Sequence, residues 1–448
     1  EARGHAEWKD LEQDRRIRLG RLAACDTDPF RQPLREDREQ LGRDRVRVLA
    51  QVEEPLHGVD RVFCLPGESF LAVLDALKDA KRIRLVTCRH EGGAAMMAEA
   101  DAKLTRRPGV AMVTRGPGAA NALAGVFVAQ HDSTPLVLFV GLPPRGMDGR
   151  GAFQEIDLAR VFGSLAKSVA VIDSAARVPE LVAQAFALAA AGRPGPVVLG
   201  LPEDMQLELA TAAPARPQPR APFALDPQAV AEIRQRLDRA ERPIAIIGGS
   251  QWSAAASRDL ARFAAAYGLP VAAAFRRQDY LDNLQGSYAG HLDLAPNPRL
   301  VERIRAADLV LALGTRLGEV TTQRHSLLGQ PGQSLIHVHA DKAELGRVFR
   351  PQLGIEAQSD ALLAALASGV PRRKVDRGAR AAHAEYLALS TPGKPRASLD
   401  LALVHAWLNE NLPRDAITTN GAGNYAAWIN RYRRFRGFGT LLAPTSGR

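Results

Sequence analysis

The sequence predicts an α/β fold: two complete doubly wound parallel sheets and a third, shorter α/β piece at the end. Two observations carry this. Short apolar runs alternate with longer helical patterns through residues 58–210 and again from 242, as βαβ units require. Glycines collect at the ends of those runs, where parallel sheets bind their ligands. Between the two units, residues 211–227 carry Pro214, Pro217, Pro219 and Pro222. That spacing excludes a helix or a central strand and reads as a linker.

Taken in order, residues 1–57 are rich in Arg, Glu and Asp, with a helical pattern barely recognisable at 46–52 and interrupted by Pro55. The runs 61–65, 83–88, 110–114, 136–141 and 197–201 are the expected strands of the first sheet. The second unit, 228–368, opens at 242–250 and repeats its strand signal at 309–314 and 335–341. A basic connector is expected at 369–398. A helix follows at 399–412, then a strand and turn at 416–424.

Composition narrows the class. The chain has 448 residues, 46% hydrophobic and 24% charged, an ordinary balance for a globular enzyme. No apolar stretch reaches the ~18 residues of a membrane span. The first fifty residues are charged throughout, unlike a signal peptide. Cys25, Cys64 and Cys88 form neither an even set nor a metal spacing, so buried thiols in a cytoplasmic protein are expected. The net charge is +10, but residues 371–448 hold 13 Lys and Arg against 5 Asp and Glu. Charge confined to one stretch that way indicates a solvated or covered face, and no nucleic-acid partner is expected.

The chemistry concentrates in Arg89-His90-Glu91-Gly92-Gly93 and in Thr114-Arg115-Gly116-Pro117-Gly118, with Asn121 beyond, each following an apolar run. A carboxylate delivered among glycine and alanine is desolvated, which suits it to moving a proton. The plainer reading is that Glu91 is an early-turn helix residue favoured by the helix dipole. Adjacent residues at a strand end point to opposite sides, so His90 is expected to be structural. Asn121 is expected to cap the helix after Gly118.

These residues, with Gly58 to Gly67, 132–137, Phe153-Gln154-Glu155 and 192–199, resemble the pyrimidine-binding domain of thiamine-diphosphate enzymes. The resemblance is strongest to acetolactate synthase large subunits. It implies that Glu91 hydrogen-bonds N1′ of the aminopyrimidine and promotes the imino tautomer that removes the thiazolium C2 proton. The resulting ylide attacks a 2-oxo acid, one of which is decarboxylated and joined to another. Pro66, Gly67, Pro117, Gly118, Asn121, Gln154, Asn420 and Gly421 are implied as further thiamine-diphosphate contacts.

The second unit resembles the family's central domain, which implies FAD as a further cofactor at Arg193, Gly248, Gly249, Arg316 and Asp341. Two departures stand against the flavin pattern, at 288–297 and at Gly314-Thr315-Arg316-Leu317-Gly318-Glu319. Gly248-Gly249 can equally serve a tight βα turn, and Asp341 can cap the next helix.

The last unit resembles the start of the diphosphate-binding domain. Its Gly-Asp-Gly motif, which with a later Asn holds Mg²⁺, does not occur in this sequence, so no metal ligand is assigned. The resemblance thus implies thiamine diphosphate with Mg²⁺, but weak binding and an incomplete or inactive chain. A benzoylformate-type decarboxylase and a non-catalytic remnant stay open beside the synthase reading.

A homo-oligomer is implied too. The resemblance sets the alanine-rich face of 92–102 at a two-fold interface, and residues after about 396 are expected to lack a core and be the least protected.

Overall fold

The computed structural model describes residues 57–209, 215, 225–368, 376–395 and 397–446. The helical pattern expected at 46–52 lies outside the described residues, as do the linker prolines 214, 217, 219 and 222. The linker reading ends one residue late, because Pro227 is the first residue of a helix. Proline has no N–H to lose at that position, and Asp226 caps the helix by accepting from Gln228 N at 2.8 Å.

The first domain runs β1 (Arg61–Cys64), α1 (Leu71–Asp79), β2 (Arg84–Thr87), α2 (Glu91–Thr105), β3 (Gly109–Val113), α3 (Pro117–Asp132) and β4 (Leu136–Leu142). It closes with α4 (Leu158–Phe162), β5 (Ser168–Val171), α5 (Val178–Ala190) and β6 (Pro196–Pro202). All six strands are parallel, in the order β2-β1-β3-β4-β6-β5. The five expected strands are present. The missed one, β5, is a half-buried edge whose short apolar run, Val169 to Ile172, is closed in by Lys167-Ser168 and Asp173. Every residue of β3, β4 and β6 is buried, as a sheet covered by helices on both faces demands.

The alanine-rich helix α2 packs most of its small residues inside the chain. Ala94, Ala95, Ala98 and Ala102 are buried within the chain. A Cβ on Gly125 of α3 would stand 2.3 Å from the Ala95 Cβ, and one on Gly109 would stand 1.9 Å from the Ala98 carbonyl oxygen. The small residues let α2 lie almost backbone to backbone on α3 and on the start of β3. Gly93, Met97 and Ala100, on the other side of the helix, are not covered by that packing.

The second domain runs α6 (Pro227–Arg239), β7 (Pro243–Ile247), α7 (Ala254–Tyr267), β8 (Val271–Ala273), β9 (Tyr288–His291), α8 (Pro298–Arg305) and β10 (Leu309–Leu313). β11 (Ser334–His339), β12 (Leu353–Glu356) and α9 (Ser359–Ser368) follow. Its sheet has the order β12-β11-β10-β7-β8-β9, again parallel throughout. The expected connector 369–398 contains a helix, α10 (Ala379–Ser390), whose Tyr386 packs edge-on against Tyr288 of β9 at 4.8 Å. The charge pattern hid it, because its buried residues Ala379, Ala382, Tyr386 and Ser390 are mostly small.

The last piece comprises α11 (Leu401–Asn411), β13 (Thr418–Thr419), α12 (Ala426–Tyr432) and β14 (Leu441–Leu442), with the two short strands paired parallel. The basic run at 431–436 is a seam onto the second domain, not a solvated face. Phe435 is only 1% exposed and its N–H donates to Asn283 Oδ1 at 2.8 Å, while Arg436 pairs with Asp282 at 2.9 Å.

Candidate cofactor site

In a doubly wound sheet the crevice opens where successive connections leave in opposite directions. In the first sheet that point lies between β1 and β3, since β2 sits on the other side of β1. The loop after β1 carries Pro66 and Gly67. The loop after β3 carries Thr114, Arg115, Gly116, Pro117 and Gly118.

Packing fixes the two turns against each other. A Cβ on Gly67 would meet the Thr114 Cβ at 2.5 Å, and one on Gly118 would meet the Thr114 Cγ2 at 2.7 Å. Thr114 Oγ1 in turn lies 2.8 Å from Ser69 Oγ. Gly116 takes φ +54°, a left-handed region that favours glycine, and starts α3 without a side-chain cap. Arg115 ties three loops together, with Nη1 donating to Glu203 Oε2 at 2.9 Å and Nη2 3.6 Å from Glu68 Oε1.

Glu91 is the first residue of α2, so the helix-dipole reading and the buried-carboxylate reading describe the same residue. It is 7% exposed, and its Oε2 accepts from Asn121 Nδ2 at 3.0 Å. A Cβ on Gly118 would stand 3.3 Å from Glu91 Oε1, so glycine there leaves that oxygen uncrowded. The result is a carboxylate with one oxygen anchored and the other beside Gly118, on the turn that borders the switch point. That geometry fits a ligand that offers the carboxylate a hydrogen.

His90 is the N-cap of α2, its Nδ1 accepting from Gly92 N at 3.0 Å, and is structural as expected. Asn121 is not a cap. It lies inside α3 and faces Glu91. Gln154 rests on the same turn. It holds φ +59°, a Cβ on Gly116 would stand 2.8 Å from its own Cβ, and its Oε1 is buried without a partner.

Asn420 and Gly421 are elsewhere. They follow β13 and line a separate cleft with Glu99 and Lys103. Glu99 is about 12 Å along α2 from Glu91 at 1.5 Å per residue. Gly421 O accepts from Arg276 Nη2 at 3.1 Å, and Asn420 Oδ1 is buried and unpartnered.

The second sheet has its own switch point, between β7 and β10. Here Gly248 and Gly249 meet Gly314. A Cβ on Gly249 would stand 2.1 Å from the Gly314 carbonyl oxygen, and one on Gly248 would stand 2.8 Å from the Ala274 Cβ. Close packing of the two turns therefore accounts for both glycines.

A narrow crevice of about 20 Å³ beside them is lined by Gly249, Gln251, Arg193, Arg316, His339 and Ser133, among others. Burial and the neighbouring Arg193 push the Arg316 guanidinium down to about 10. Arg193 is held by Ser133 Oγ at 2.8 Å and Glu344 Oε1 at 3.3 Å. The two guanidiniums are half-buried side by side, with Glu344 the carboxylate that pairs with Arg193. Asp341 does not line this crevice; its carboxylate caps the following 3₁₀ turn, accepting from Ala343 N at 3.0 Å.

Cys64 and Cys88 are free and buried, and burial pushes the Cys64 thiol up to about 12, so neither is a reactive thiol. Among the described residues no group of three or more His, Cys, Asp or Glu could hold a metal ion, and no helix is long and apolar enough to cross a membrane. Sequence reasoning passed over Ser69 and Glu203 because their partners, Thr114 and Arg115, stand 45 and 88 residues away.

Two parallel six-stranded domains, with a buried glutamate at the first switch point, match the domain plan of thiamine-pyrophosphate enzymes. Residues 46–161 match the N-terminal TPP-binding domain of those enzymes and residues 230–366 match their central domain, and the chain belongs to that family. It is 29% identical over 375 residues to acetolactate synthase isozyme 2 large subunit of Escherichia coli, a match covering 84% of this chain and 68% of that protein. It is 30% identical over 412 residues to the acetolactate synthase large subunit of Parasynechococcus marenigrum, covering 84% and 63%. To isozyme 1 of E. coli it is 32% identical over 313 residues, covering 69% and 55%. The chain thus spans roughly two thirds of the length of the curated relatives it matches.

Proposed function

We propose that this chain forms the pyrimidine-binding and central parts of an acetolactate-synthase-like enzyme that decarboxylates a 2-oxo acid and joins the product to a second one. The observation that carries the reading is Glu91: buried at the switch point, anchored by Asn121 through Oε2, with Oε1 left open by Gly118. Thiamine diphosphate, when bound with Mg²⁺, supplies a nucleophilic carbon and a place for the electrons released with carbon dioxide.

The chain's own residues do the rest. Glu91 accepts a hydrogen bond at the pyrimidine nitrogen and moves a proton there, and Asn121 orients its carboxylate. Pro66, Gly67, Pro117 and Gly118 form the walls that admit a flat ring, and Gln154 offers an acceptor. Asn420 and Gly421, in the other cleft, belong to the diphosphate half of a site completed in a homo-oligomer, in the cytoplasm.

FAD is proposed to set its diphosphate beside Arg193 and Arg316, where an anion would offset their positive charge and the narrow crevice would have to widen to admit it. A flavin chromophore that co-purifies with the chain and is lost in Arg316→Ala would support it. Protein purified from flavin-replete cells without any flavin would overturn it.

Titration of the chain with thiamine diphosphate and Mg²⁺, followed by tryptophan fluorescence, tests the main reading. Weak, saturable binding is expected, reduced a further ~10-fold or more by Glu91→Gln, since a hydrogen bond to a charged group contributes ~1.5–3 kcal/mol. Equal responses from the chain and the variant would overturn it.

A further inference from the structure

The segment between β4 and α4 is pinned at two places. At its start Arg145 Nε donates to Asp204 Oδ2 at 2.8 Å and Nη1 to the Asp173 carbonyl at 2.6 Å. Near its end the Glu155 carboxylate gathers three backbone N–H groups of its own loop. Oε1 accepts from Gly149, and Oε2 accepts from Gly151 at 2.9 Å and Ala152 at 3.0 Å. Gly149 and Gly151 sit at φ +70° and +72°, where a side chain would be strained, and this turns their N–H groups inward onto the carboxylate.

The residue immediately before that carboxylate is Gln154. Its φ of +59° costs of order 1 kcal/mol or more for a residue with a side chain and persists only where the surroundings impose it. The imposed conformation presses Gln154 onto Gly116, on the turn whose Gly118 borders Glu91. It leaves the buried Oε1 of Gln154 without a partner. A buried acceptor left unpaired is costly, and such a group asks for a donor that arrives with a ligand.

We propose that Glu155 is a positioning residue: by chelating the N–H groups of Gly149, Gly151 and Ala152 it locks Gln154 against Gly116 and aims its carbonyl oxygen at a donor on the ligand held by Glu91. The proposal rests on the thiamine-diphosphate reading for the identity of that ligand. The donor it calls for is an N–H group, such as an exocyclic amine on a flat heterocycle.

The test uses the whole chain with Glu155→Ala, Glu155→Asp, Gln154→Ala and the double Glu155→Ala/Gln154→Ala variant. Hydrogen exchange on the ligand-free proteins reads the brace. The amides of residues 149–152 should be slow in the parent, fast in Glu155→Ala, and partly rescued in Glu155→Asp. Titration with thiamine diphosphate and Mg²⁺ reads the aim.

Gln154→Ala and Glu155→Ala should each weaken binding about 10-fold, the loss of one hydrogen bond, and the double variant should be no worse than either single one. Additive losses, or parent affinity in Glu155→Ala despite fast exchange, would overturn the proposal while leaving the cofactor reading intact. Absence of binding by the parent itself would sink the cofactor reading and this proposal together.

Discussion

Asn121 acquires its role from a residue 30 positions away. Sequence reasoning made it a helix cap, but Gly116 and Pro117 begin the helix without one, and Asn121 falls one turn inside, where its amide meets Glu91. Removing that amide leaves a nearly buried carboxylate short of a donor. Asn121→Ala is therefore expected to lower stability by ~1–3 kcal/mol in denaturant unfolding, and Asn121→Asp, which sets two carboxylates side by side, by more. An unchanged midpoint for Asn121→Ala would show that Glu91 does not depend on it. Glu91 itself was legible, because a carboxylate between an apolar run and Gly92-Gly93 is rare enough to stand out. Ser69 and Glu203 were not, because nothing local marks a contact that depends on which strands lie side by side.

Among elements, α2 and α3 show how glycine and alanine specify contact. Gly125→Val would drive side-chain atoms into Ala95, whose Cβ is 2.3 Å from where a first carbon would stand. Overpacking of this kind typically costs ~1–3 kcal/mol. Thermal unfolding should show the loss, and an unchanged transition would mean that the helices can part without penalty.

β11 carries a second test. Its His337 and His339 are buried, and burial pulls both below the ordinary 6.5. A histidine kept neutral in the fold contributes stability that is whole above pH 6.5 and is lost as pH falls through the depressed values, because the unfolded chain binds the proton first. Stability should drop on acidification below 6.5, and His337→Gln should flatten part of that slope. A slope identical in the variant would remove His337 from the account.

The longer apolar strands were legible. β5, β8, β9 and β12 were passed over: β5 and β12 are partly exposed edges, while β8 and β9 are buried but short and built largely of Ala and Gly; α10 was hidden by its small buried residues.

Over the whole molecule, the last fifty residues divide in two. Leu399 and Trp407 are 70% and 59% exposed around α11, as expected of a segment without a core. The 435–443 stretch is instead covered, with Phe435, Leu441 and Ala443 buried and Arg276 Nη1 reaching the Pro444 carbonyl. Thr445 N also donates to the buried Asp132 Oδ1 at 2.8 Å, tying the segment to the first domain. Hydrogen exchange should therefore be fast in α11 and slow in 435–443, and Arg276→Ala should raise exchange at 418–445 alone. Uniformly fast amides across 399–446 would restore the simpler expectation of an uncovered piece. Sequence alone did not separate the halves, because the anchors Asn283, Asp282 and Arg276 lie in the second domain and carry no pattern of their own.

The central claim is that Glu91 handles the proton at the pyrimidine ring. Deuterium exchange at C2 of thiamine diphosphate, saturating with Mg²⁺, measures that function directly in the parent chain and in Glu91→Gln, with near-native circular dichroism as the check on folding. The account predicts accelerated exchange in the parent and a loss of ~10²–10⁴-fold in the variant, the usual contribution of a positioned acid–base group. Exchange in Glu91→Gln at the parent's rate would contradict it.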